Sequence, residues 1–164
     1  MRLRVSPEVR AHAELLVDGL KYQQQRQWFL DEVAAGRRTL DLVGAKLYPY
    51  QVDGLLHLAF SGRALLADDM GLGKTVQAIG AAVLLKELRG ISRVLVVTPA
   101  SLKHQWLREI KRFTSLTAEV IQGPSAKREL LYATPSFFTI VNYELLLHDQ
   151  QVYERLAPDL VILD

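Results

Sequence analysis

The stretch "RALLADDMGLGKTVQAIGAAVLLKELRG", residues 63–90, limits the possible folds more than any other part of the chain. A short apolar run enters a turn holding two glycines and a Lys-Thr pair, and a long apolar, helix-forming segment leaves it. Gly71 and Gly73 give the turn backbone freedom, so successive N–H groups can converge on phosphate oxygens at the positive end of the next helix. Lys74 adds charge for the outer phosphates, and the Thr75 hydroxyl suits Mg2+. The general phosphate-loop pattern G-x-x-x-x-G-K-[ST] has glycine where this chain has Asp68, at the exit of the expected strand. The competing reading is a plain glycine turn. Chance rarely sets G-x-G-K-T between an apolar strand and an apolar helix.

From Leu47 onward short apolar runs alternate with helical segments. The runs at residues 63–67, 93–98, 118–122, 137–141 and 160–164 are rich in Val, Ile and Leu at consecutive positions, which predicts strands covered on both faces. Helical patterns occupy 75–89, 101–113, 125–133 and 143–156. Strand, helix, strand in repetition predicts an α/β fold with a parallel sheet flanked by helices, and ligands gather beyond the carboxyl ends of such strands. Upstream, Ser6 followed by Pro7 and Glu8 is a helix start, and one or two helices follow, with a break expected at Gly19 and a stop at Gly36. Residues 37–44, "RRTLDLVG", read as a short strand or linker.

Composition narrows the chemistry. With 164 residues, 49% of them hydrophobic, the chain suits one globular domain. It has no cysteine, which excludes disulfides, thiolate metal sites and cysteine nucleophiles. No run approaches the roughly 18 apolar residues needed to span a bilayer, so the expectation is a soluble intracellular protein. Net charge is only +2, but residues 86–113 carry seven Lys/Arg against two Glu, a local hint of polyanion contact.

"LLADDMGLGKTVQAI" resembles motif I of the Swi/Snf-type ATPases, the DNA-translocating branch of helicase superfamily two, in which an acidic pair, a methionine and "GLGKT" replace the general opening. The resemblance makes Asp68 a family residue and implies an ATP loop of Asp68, Asp69, Met70, Gly71, Leu72, Gly73, Lys74 and Thr75. "LYPYQVDGLLHL" resembles the segment upstream of that motif, whose glutamine reads adenine; here it is Gln51. An amide offers a donor and an acceptor together, as the adenine edge requires. A surface glutamine at a helix start is the alternative.

"LVVTPASLKHQWLREIKRF" resembles motif Ia, which implies that Thr98, Pro99, Ser101, Lys103 and His104 approach the DNA backbone. Lys111 and Arg112 add to a basic helix that is otherwise a solvated face, with Trp106 and Leu107 expected in the core. "FTIVNYELL" resembles the motif after it, with Asn142 and Tyr143 at the tracked strand, although Asn142 is equally suited to capping a helix. "PDLVILD" resembles the start of the Walker B motif, which implies that Asp164 holds Mg2+ directly or through water.

The resemblance covers residues 46–164 and implies part of the first RecA-like lobe at 47–164, with 1–46 a helical extension or the end of a preceding domain. For the intact protein it implies a DNA-dependent ATPase that moves along double-stranded DNA and displaces or remodels bound proteins. Its cofactors would be ATP and Mg2+, its site in the cell the cytoplasm or nucleoid of a prokaryote or the nucleus of a eukaryote, with no membrane. A strand-separating superfamily-two helicase, a restriction-type motor, and a nucleotide-sensing DNA-binding module without turnover remain open. The glutamate expected after Asp164 and the arginines of a second RecA-like lobe are not among these residues. Binding of Mg-ATP with hydrolysis near background, and marginal stability or self-association through an exposed sheet edge, are therefore expected of the chain by itself.

Overall fold

Four of the five apolar runs become strands of one sheet in the computed structural model, which describes residues 6–164. They are β1 (Val94–Thr98), β2 (Ala118–Val120), β3 (Phe138–Asn142) and β4 (Leu160–Leu163). Their spatial order is β2-β3-β1-β4, with every neighbouring pair parallel. Three helices precede the sheet: α1 (Pro7–Ala34), α2 (Pro49–Ala59) and α3 (Lys74–Arg89). Parallel neighbours require crossovers. A 3₁₀ turn (Ala100–Leu102) with α4 (Lys103–Phe113), then α5 (Ser125–Ala133), then α6 (Tyr143–His148) with α7 (Gln150–Leu156), provide them.

All five residues of β1 are buried, because the strand has a ladder on each side and helices on each face. Val94 and Val96 join Phe138, Ile140, Ile79, Trp106 and Ile110 on the α3 and α4 side. Leu95 and Val97 join Val141, Ile121 and Tyr132 on the side of α5 to α7. A further cluster, including Phe29, Leu55, Leu56, Phe60 and Leu84, seats the carboxyl half of α1 on α2 and α3. Phe29 meets Phe60 with ring centroids 5.9 Å apart.

Three expectations need correction. Residues 63–67 are not a strand: 64–69 run without regular structure, and Leu65 is 83% exposed. An apolar run becomes a strand only when another strand takes its backbone bonds, and none among the described residues pairs with it. The outer face of β4 is likewise open, with Val161 49% and Leu163 68% exposed. Next, α1 runs unbroken through Gly19, since one interior glycine weakens a long helix by only about 1 kcal/mol. Finally, the helical span at 143–156 divides at Asp149, whose carboxylate turns inward. Residues 37–44 are a linker without helix or strand, although Leu42 and Val43 are buried.

Asp149 is the anchor beneath that break. It accepts from Arg128 Nη2 at 2.6 Å, Arg128 Nε at 2.8 Å and the Tyr132 hydroxyl at 3.0 Å. The Arg128 bonds hold its carboxyl below the usual aspartate range, against the opposing effect of burial. Asp149→Ala removes the carboxylate from a largely buried ion pair, while Arg128 keeps its bond to Gly123 O, and should cost about 1–3 kcal/mol in urea unfolding. Because the folded-state carboxyl is the more acidic, its contribution is complete above the unfolded pKa and lost as pH falls through the folded one. The stability gap between wild type and variant should therefore narrow on acidification.

Candidate nucleotide-binding site

The loop before α3 is shaped by two left-handed glycines, Gly71 at φ +84° and Gly73 at φ +81°. Side chains rarely tolerate that conformation. A Cβ on Gly71 would meet nothing within 4 Å, so the space beside the loop is open, whereas one on Gly73 would lie 2.6 Å from Gln51 Nε2. The N–H groups of the first turn of α3 have no carbonyl inside the helix to bond, and they point out of its positive end. Lys74 folds back across the loop, donating from Nζ to the carbonyls of Asp68 at 2.8 Å and Asp69 at 2.9 Å. A phosphate would offer the ammonium better acceptors than these neutral carbonyls. The residues present therefore fit a nucleotide phosphate.

Two amides hold the loop from below. Leu72 O accepts from Gln51 Nε2 at 3.1 Å and from Gln77 Nε2 at 3.4 Å. Gln51 Oε1 accepts from the Tyr48 N–H at 3.0 Å, at the start of α2. Gln51 is thus a nearly buried strut between α2 and the loop, not a surface glutamine. Gln77 Nε2 also donates to Asp68 Oδ2 at 3.1 Å, which gives the residue that departs from the general pattern a structural partner. The sequence reading missed Gln77. Its signal was a polar side chain on the α3 face that also carries Val76, Ile79 and Gly80. It is fully buried, and its Oε1 has no hydrogen-bond partner among the described residues. Met70, by contrast, is 96% exposed at the loop tip.

Thr98 and Asn142 end adjacent strands in register, and Asp164 follows β4 on the other side of β1. Asp164 Oδ2 accepts from Trp106 Nε1 at 2.8 Å and from Thr98 Oγ1 at 3.1 Å, while its carbonyl accepts from the Tyr143 hydroxyl at 2.7 Å. Trp106 is in the core as expected, yet its polar edge serves this carboxylate.

The expected nucleic-acid contacts divide sharply. Pro99, Ser101, His104 and Tyr143 are exposed. Thr98, Lys103 and Asn142 have buried side chains that bond within the protein. Lys103, 7% exposed, donates from Nζ to Asn142 Oδ1 at 2.8 Å and to Ile121 O at 2.9 Å. Burial pushes its pKa down, with Glu144 opposing. The Asn142 amide donates to Glu144, whose carboxyl it lowers, so Asn142 joins two charged groups and its side chain does not cap α6. Sequence spacing put Lys103 on a basic helix; only packing shows which side of that helix faces the sheet.

Comparison with known proteins agrees with this architecture. The SNF2-related domain family matches residues 22–164. The chain belongs to that family. It is 39% identical over 111 residues to the human "DNA annealing helicase and endonuclease ZRANB3", covering 66% of this chain and 10% of that protein. It is 32% identical over 142 residues to the "Chromatin-remodeling ATPase INO80" of Aspergillus clavatus, covering 76% and 8%. The SNF2-related chain thus spans about a tenth of the length of these curated relatives. The Sulfolobus solfataricus SWI2/SNF2 ATPase core superimposes with a TM-score of 0.66 at 28% identity, over 74% of this chain and 26% of that one. The same core in complex with dsDNA gives 0.60 at 31% identity, over 66% and 24%. Among the described residues no helix is long and apolar enough to cross a membrane.

The packing under the loop makes one glycine testable. A Cβ on Gly54, inside α2, would stand 1.8 Å from Gln77 Oε1. Glycine to alanine within a helix ordinarily stabilises by up to about 1 kcal/mol. Here Gly54→Ala should instead lower the melting temperature, because it drives Gln77 off Asp68 and Leu72, and adding Gln77→Ala should recover part of the loss.

Proposed function

We propose that this chain is the nucleotide-binding part of a DNA-translocating ATPase motor and that it binds Mg-ATP at the loop before α3. The observation that carries the reading is the open cradle at Gly71, with Lys74 Nζ drawn into the loop by the carbonyls of Asp68 and Asp69. The N–H groups of residues 71–75 would hold the phosphates and Lys74 the outer charge. Thr75 and Asp164 supply a hydroxyl and a carboxylate, hard oxygen donors that suit Mg2+ alongside phosphate oxygens and water. Bound Mg2+ would neutralise charge developing on the transferred phosphoryl group. Gln51, next to the loop, is placed to exchange its bond with Leu72 O for the adenine edge.

The lobe occupies residues 47–164, and 1–46 is an extension whose carboxyl half rests on α2 and α3. Double-stranded DNA is the proposed track, supported by the dsDNA complex of the Sulfolobus solfataricus core. Pro99, Ser101, His104 and Tyr143 are the exposed candidates for its backbone, a contact that carries no base information and weakens with salt. In the intact motor a second lobe would close on the nucleotide and supply the opposing arginine, and the cycle of closure and opening would move DNA-bound proteins.

Calorimetry with ATP and Mg2+ tests the site. Wild type should show magnesium-dependent binding, and Lys74→Ala should weaken it about 10- to 100-fold, the worth of a charged hydrogen bond. Unchanged affinity in Lys74→Ala, or no magnesium-dependent heat in wild type, overturns the reading.

A further inference from the structure

We propose that Trp106 is a positioning residue for the metal-binding carboxylate, a role that rests on the reading of Asp164 as the Mg2+ ligand. A buried indole must place its one polar hydrogen, and it can only donate. Trp106 is 3% exposed, locked on α4 among Val96, Ile110 and Phe138, and its Nε1–H donates to Asp164 Oδ2 at 2.8 Å. Thr98, fully buried at the end of β1, donates to the same oxygen at 3.1 Å.

Two immobile donors on Oδ2 fix the rotation of the carboxylate, while Asp164 as a whole remains exposed. Oδ1 is then the oxygen left for a cation or its water. Groups that orient a metal-binding side chain in this way typically change metal affinity about 10- to 100-fold when removed. An aromatic residue with a purely packing role would need no nitrogen at that position. Phenylalanine would serve as well.

The test measures Mn2+ binding to the ADP complex of the chain by electron paramagnetic resonance, with Mn2+ standing in for Mg2+. Trp106→Phe keeps most of the ring and loses the N–H. It should weaken Mn2+ about 10-fold while leaving ADP affinity without metal unchanged. Thr98→Val, which leaves the aromatic core intact, should weaken Mn2+ in the same direction, so the proposal stays testable if the tryptophan variant folds poorly. In an Asp164→Asn background, Trp106→Phe should produce no further loss, since its effect passes through the carboxylate. Trp28→Phe, on the distant α1, should match wild type. Equal Mn2+ affinity in wild type and both variants, or the same loss from Trp106→Phe with and without Asp164, overturns the positioning role alone. Absence of any metal-dependent ADP binding in wild type overturns it together with the proposed function.

Discussion

The double burial of β1 governs the rest of the molecule. Its backbone bonds β3 on one side and β4 on the other, and its side chains alternate between two apolar clusters. A strand so enclosed can change neither register nor face without moving every neighbour. Its carboxyl end therefore has a defined position, and so do the strand exits beside it. Asp159 reinforces the opposite end, where its carboxylate accepts from the N–H groups of Ser92 at 2.7 Å and Arg93 at 3.0 Å. Those backbone bonds hold its carboxyl below the usual range.

The glycine loop before α3 depends on this frame only indirectly. No strand ladder supports residues 64–69. The loop is instead held by α3, which is packed against the sheet, and by two amide side chains, Gln51 from α2 and Gln77 from α3. The turn itself is local chemistry: two left-handed glycines, a helix end and a lysine. Its attachment is tertiary. Gln51 reaches it from 21 residues away, and Gln77 bonds a carboxylate nine residues earlier in the chain.

At the rim of the sheet, polar groups are joined in two sets of three, each with two buried members and one exposed carboxylate. Lys103, Asn142 and Glu144 form one set, and Thr98, Trp106 and Asp164 form the other. Buried polar groups require partners, and these arrangements satisfy them. They also place rigid donors beside the strand ends where an α/β fold gathers its ligands. Residues that the linear order places in a nucleic-acid motif thus become internal struts. The exposed neighbours Pro99, Ser101 and His104 keep the surface.

Much of this was legible in the order of residues. Apolar runs four to six long, separated by helical segments, determined a parallel sheet with helices on both faces, because each element must bury its apolar surface against another. Gly71 and Gly73 determined the left-handed turn before α3, since its geometry is made within a few residues of chain. Tertiary structure alone decided whether residues 63–67 would find a ladder, which side of α4 would face the sheet, and which donors would meet Asp164. Those outcomes turn on partners far apart in sequence, such as Lys103 with Ile121, 18 residues on, and Thr98 with Asp164, 66 residues on. Periodicity records that a face is apolar. Which polar atom lies across from it is decided only when the layers close.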